Sequence, residues 1–159
     1  MHTVSRQELE DLLKQANIKP RLKRELRFVP EEITHWKERD FLAVLNKSKS
    51  EGVLIIPRAE ATRILPFRLQ KRTANASGRV EAIICDICAT WQRGSNSAII
   101  SIVDSDKSSR SFLCCQDLDC SLHVRDITPA AAISRTQLRE TMTVEDRIER
   151  LNQRLNEKF

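Results

Sequence analysis

Tyrosine is absent from this 159-residue chain, and five phenylalanines and two tryptophans supply all of its aromatic rings. That leaves little for the platforms on which single-stranded nucleic acids stack their bases. Glycine is almost as scarce, at three residues, too few for an all-β protein with a tight turn after every strand. No apolar run approaches the roughly 18 residues a membrane span requires, so no membrane partner is expected. The opening "MHTVSRQELEDLLKQ" has no apolar signal-peptide core. The expected location is therefore cytoplasmic, where thiols stay reduced. No Ser-His-Asp set, phosphate-cradling glycine loop or open-shell His/Glu motif is recognisable, so no enzymatic activity is expected.

Charge and hydrophobicity are well supplied. Hydrophobic residues make up 40% and charged residues 31%, a globular composition at a length that suits one domain with a small appendage. The net charge of +5 favours an acidic partner, either nucleic acid or an acidic protein surface. The excess is uneven: "KPRLKRELR" (19–27) carries five cations against one Glu, and Arg58, Arg63, Arg68, Lys71, Arg72 and Arg79 face only Glu60.

The pattern predicts an α+β fold, with short helices first, antiparallel strands in the middle and an amphipathic helix last. Ser5 and Glu8 form a capping box ahead of Leu9, Leu12 and Leu13, which predicts a helix to about Asn17. Pro20 opens a second, basic helix, and Pro30-Glu31-Glu32 a third, with acids in the first turn where the helix dipole favours them. The polar break at 47–52 separates two strands. "VLIIP", "RILPFRL", "RVEAIIC" and "SAIISIV" read as further strands, with "GSN" and "DSDKSSR" as turns. Thr143 caps a last helix whose Val144, Ile148, Leu151 and Leu155 form one stripe, expected to pack on its own domain in a monomer. The expected division is a helical segment 1–39 followed by a domain over 40–159.

Five cysteines in a reducing compartment point to metal rather than to disulfides. Cys85 and Cys88 form a C-x2-C, and Cys115 and Cys120 a C-x4-C after a second strand; 26 residues lie between the pairs. Zinc in a structural site takes four ligands tetrahedrally, and a strand hairpin between two cysteine loops brings the second pair opposite the first. A redox C-x-x-C would leave Cys115 and Cys120 unexplained. The odd count leaves one thiol spare. A C-x4-C from Cys115 makes Cys114 a small buried hydrophobe; the alternative, from Cys114, gives a slacker C-x5-C loop. His123 is an alternative fourth ligand or an ordinary polar residue. Four thiolates around one Zn²⁺ leave two negative charges, which backbone N–H groups and Arg93, Arg110 and Arg125 are placed in sequence to offset.

"CDIC", the hairpin, "CCQDLDCSLHVR" and the closing "TVEDRIERLNQRLNEKF" together resemble the C-terminal treble-clef zinc-finger (FBP) domain of the elongation factor G-binding, FusB-type fusidic acid resistance proteins, over roughly residues 40 to 159. The resemblance implies one structural zinc ion held by Cys85, Cys88, Cys115 and Cys120. It also implies binding to translation elongation factor G and modulation of that factor's release from the ribosome, with fusidic acid resistance or ribosome rescue as the outcome. The resistance proteins place an aromatic residue between the first two ligands; Ile87 stands there in this chain. Ile87, with Lys107 and Arg110 on the hairpin, is the expected partner-binding set. The competing expectation is a zinc-stabilised module that binds ribosomal RNA or another nucleic acid directly.

Overall fold

Ser5 starts the first helix as the sequence predicts. In the computed structural model, which describes residues 1–16, 18–105, 108–128 and 141–159, the Ser5 hydroxyl accepts from Glu8 N–H at 3.1 Å and the Glu8 carboxylate accepts from Ser5 N–H at 3.3 Å. Helix α1 (Arg6–Gln15) follows and buries Leu9 and Leu13. Pro20 stands at the start of α2 (Pro20–Glu25). The third helix expected at Pro30 closes only a 3-10 turn, Pro30–Glu32, followed by another at Trp36–Glu38. Ile33 is already extended, and His35 enters the left-handed region at φ 56°, so no α-helical ladder can propagate.

Among the described residues seven strands follow: β1 (Leu42–Leu45), β2 (Glu51–Ile56), β3 (Arg63–Lys71), β4 (Ile83–Ile84), β5 (Trp91–Gln92), β6 (Ser97–Ser105) and β7 (Ser108–Cys115). They hydrogen-bond as a five-stranded sheet, β1-β2-β3-β6-β7, and a two-stranded ribbon, β4-β5. Helices α3 (Cys120–His123) and α4 (Val144–Lys158) complete the order, and the whole is α+β as expected. The predicted strand over 79–85 shrinks to Ile83–Ile84. Asn75 explains part of this, because its side-chain oxygen accepts from Ser77 N–H and Arg79 N–H and winds the preceding chain into a turn. The Glu81 carbonyl is taken by the Arg72 guanidinium instead of a strand.

The chain divides into two compact units: unit 1 holds 1–70 and 100–111, unit 2 holds 71–99 and 112–159. In unit 1, Val4, Leu9, Leu13 and Ile18 share a core with Leu42, Val44, Val53 and Ile55. The antiparallel register sets Leu42 opposite Ile55 and Val44 opposite Val53, so one face of the β1–β2 pair receives the helices. Leu54 and Ile56, on the other face of β2, are also fully buried, as a central strand covered on both sides requires.

In unit 2 the last helix spends its apolar stripe internally. Thr143 caps it, accepting from Asp146 N–H at 3.2 Å. Leu151, Leu155 and Phe159 are buried, and the Phe159 ring meets Phe112 edge-on at 5.6 Å. Arg147 grips Asp126 with two hydrogen bonds, at 3.0 and 2.6 Å. No helix among the described residues is long and apolar enough to cross a membrane.

Gly52 gives this fold a direct test. A Cβ there would collide with the Val44 carbonyl and lie 2.9 Å from Phe67 Cζ. Gly52→Ala should therefore cost about 1–3 kcal/mol, the usual range for overpacking, read as a lower urea midpoint; an unchanged midpoint would show that the β1 backbone at Val44 and the Phe67 ring both give way freely.

Candidate metal centre

Two loops of unit 2 carry the cysteines. Cys85 follows β4 directly and Cys88 closes the turn before β5, with Cys85 N–H bonded to the Thr90 carbonyl and Ala89 N–H to the Cys85 carbonyl, at 2.9 and 2.8 Å. Cys115 ends β7, and Cys120 opens α3. The register between the loops is fixed by Asp86: its N–H donates to the Leu113 carbonyl, and its carboxylate accepts from Leu113 N–H at 2.7 Å. A knuckle on a short ribbon and a second pair split between a strand end and a helix start is the treble-clef arrangement.

All four thiols are fully buried, and their sulfur atoms lie within 4.8 Å of one another. The closest pairs are Cys88–Cys115 at 3.6 Å, Cys85–Cys120 at 3.8 Å and Cys115–Cys120 at 3.8 Å. A disulfide needs about 2.05 Å, so these are separate sulfurs. A regular tetrahedron around an ion with bonds of about 2.3 Å has edges of about 3.8 Å. The observed spacing fits that figure, and the ligand chemistry fits zinc: four soft thiolates, no position left for water. One structural zinc ion belongs here.

Electrostatics supports the same assignment. The Cys88 thiol is held well below its ordinary range: burial opposes this most strongly, but hydrogen bonds from Cys115, Cys120 and Cys85 prevail. Cys120 moves well up, first through its bond to Cys115. The sulfurs alone thus compete for protons, and a dication is what lets all four ionise together.

A shell of donors surrounds the sulfurs. Ile87 N–H donates to Cys85 Sγ at 3.4 Å. The Thr90 hydroxyl oxygen accepts from Gln92 Nε2 at 2.8 Å, which leaves its proton for Cys88 Sγ at 2.9 Å. His123, 1% exposed, sets Nδ1 3.3 Å from Cys115 Sγ and Nε2 3.3 Å from Asp117 Oδ2. Burial opposes charge on this ring, while Asp117 and Cys88 raise its pKa, to about 10. Asn96 steadies the carboxylate, donating to Asp117 Oδ2 at 2.8 Å. Helix α4 adds cations: Arg154 donates to the Asp86 carbonyl at 3.1 Å and Arg150 to the Cys88 carbonyl at 3.5 Å.

Each expected site residue has a definite place. Cys85, Cys88, Cys115 and Cys120 come together, and Cys114, fully buried, stays outside the set. Ile87 is also fully buried, so it serves the core and offers no side-chain surface to a partner. Arg110 is exposed on β7, and Lys107 lies outside the described residues. Of the three arginines expected to offset the metal charge, Arg93 is exposed and Arg125 donates to the Ser121 carbonyl at 2.8 Å. His123, Arg150 and Arg154 also touch the metal loops, and the sequence pattern singled out none of them for this purpose. Two exposed apolar residues also escaped notice: Ile84, 64% exposed, and Leu113, 36% exposed. Alternation in "EAIIC" carries the first signal, since Ile83 turns inward and leaves Ile84 outside.

A family model described as the FBP C-terminal treble-clef zinc-finger matches residues 17–159. No curated protein and no solved structure gives a significant match.

Cys85→Ser or Cys120→Ser should yield zinc-free or insoluble protein, whereas Cys114→Ala should keep one zinc per chain by elemental analysis. Full zinc in a soluble Cys120→Ser protein would refute the ligand set. His123→Leu leaves every thiol in place and should weaken the metal about 10- to 100-fold, read by competition with a chromogenic chelator. Unchanged affinity would reduce the ring to a space-filler.

Proposed function

Because the chain belongs to the FBP C-terminal treble-clef zinc-finger family, we propose that it is a zinc-stabilised protein-binding module that docks on translation elongation factor G and modulates that factor's release from the ribosome. One observation supports this most. Ile84 and Leu113 expose apolar side chains beside the first cysteine loop, on backbone held by the two Asp86–Leu113 hydrogen bonds. Protein interfaces take most of their energy from a few apolar anchors on rigid backbone, ringed by polar groups. A loop pinned by a metal loses little entropy when it docks.

This reading gives the metal a structural role. The zinc supplies no open coordination position; it holds the knuckle so that Ile84 and Leu113 keep one geometry. The net charge of +5 suits an acidic partner, with steering that weakens as salt rises. Release from the ribosome, and through it resistance or rescue, would follow from occupying the factor's surface in the ribosome-bound state.

Calorimetric titration of the purified chain into elongation factor G should give a saturable isotherm. Ile84→Ser with Leu113→Ser should weaken it at least about 10-fold, the loss of one anchor of roughly 1.4 kcal/mol, with zinc content unchanged. Binding to ribosomes stripped of the factor, but not to the factor itself, would sink the proposal.

A further inference from the structure

We propose that unit 1 carries a separate RNA-backbone site, formed by α2 and the turn between β1 and β2. An isolated bridge pairs Leu26 with Asn46, and Arg27 N–H donates to the Leu45 carbonyl at 2.9 Å. The end of α2 is thereby fastened against the turn. The turn itself is ordered by Asn46, whose side-chain oxygen accepts from Ser50 N–H, Glu51 N–H and the Ser48 hydroxyl at 3.0–3.2 Å. Lys19, Lys23 and Arg24 come from the helical side, and Lys47 and Lys49 from the turn.

The acids of this surface are already engaged. Glu25 pairs with Arg21 at 2.9 Å, Glu51 with Arg68 at 3.4 Å and Glu32 with Arg27 at 2.9 Å. None of the five cations named above makes an ion pair among the described residues, and all are exposed or half-exposed. Such a group retains its charge for a partner.

The missing apolar component selects the partner. The exposed large hydrophobic residues among those described, Ile84, Leu113 and Ile127, all belong to unit 2. A protein partner needs a dehydrated apolar centre, and lysine is depleted there. A polyanion needs only spaced, solvated cations, each releasing condensed counterions. The chain has no tyrosine, and Phe28 and Trp36 pack against the core of unit 1, so recognition is of phosphates without sequence preference. The choice of RNA over DNA rests on the ribosomal reading above; the site itself does not.

The test measures fluorescence anisotropy of a labelled single-stranded RNA with the full, zinc-loaded chain across a salt series, with duplex DNA as a parallel arm. Five phosphate contacts give a log-log salt slope of about −3.5, hence a roughly 100-fold loss between about 50 and 200 mM salt. Lys47→Gln with Lys49→Gln, both on an exposed turn, should bring the slope to about −2. Adding Lys23→Gln and Arg24→Gln should bring it to about −0.7. Ile84→Ser with Leu113→Ser should leave RNA binding unchanged, so a failure of factor docking does not mimic a failure here. No binding at low salt, a slope unaltered by the turn variant, tighter binding of duplex DNA, or tighter binding of polyglutamate than of RNA would each overturn the proposal.

Discussion

Four sulfur atoms drawn from two loops meet within 3.6–3.8 Å of their neighbours, and the geometry of unit 2 follows from that meeting. Four buried thiols cannot all ionise beside one another, so the loops close firmly only around a dication. The apparent free energy of a structural zinc, about 10–16 kcal/mol in small finger peptides, matches or exceeds the about 5–15 kcal/mol that stabilises a whole domain. The core of unit 2 therefore supplements the metal more than it replaces it. The surrounding donors follow the same logic. An amide, a hydroxyl and an imidazole each reach a sulfur, and each offsets part of the two negative charges left on the zinc–thiolate group.

Scarcity of glycine leaves a cost that this bond strength covers. Among the described residues, five non-glycine residues adopt the left-handed region: His35, Lys49, Ala89, Leu118 and Asp126. Each costs about 1 kcal/mol relative to glycine. Ala89 and Leu118 sit in the two cysteine loops themselves, where the backbone must bend to aim both sulfurs at one point. Spent against the metal's contribution, two such penalties are small. Lys49 has a different support, the Asn46 side chain that organises its turn.

What could be read from the sequence was whatever depends on residues close together in it. The Ser5–Glu8 capping box, the Thr143 cap and the Leu151–Leu155 stripe are local devices, and all appear as read. So do the cysteine pairs, because their spacing alone dictates the loops. Cys114 was separable from Cys115 because a shorter loop constrains the fourth ligand better. Readings that depended on distant partners fared differently. Pro30 signals a helix start, but the chain needs His35 in a left-handed turn. The strand from Arg79 is lost to the Asn75 turn and to Arg72. Leu9 and Leu13 bury their side chains among residues of β1 and β2, a packing that no local pattern announces. Arg150 and Arg154 are ordinary polar residues by pattern, and only the fold brings them to the metal loops. Ile87 is the converse case: its place between two ligands suggests a tip, yet its side chain turns into the core.

The two units differ in the kind of surface they present. Unit 2 exposes a few apolar side chains beside a rigid knuckle, and its nearby arginines are turned inward, to the Asp86 and Cys88 carbonyls and to Asp126. Unit 1 exposes cations on a pinned helix and turn, with the neighbouring carboxylates already paired. These two chemistries exclude each other on one patch. An apolar anchor gains by expelling water, which would strand a nearby lysine without solvation, whereas a lysine facing phosphates gains by staying hydrated while its partner sheds ions. Keeping them on different units lets the salt response of one surface vary without weakening the other. The basic balance of the whole chain is then less informative than its distribution, because the residues that set the charge are not those that grip the metal.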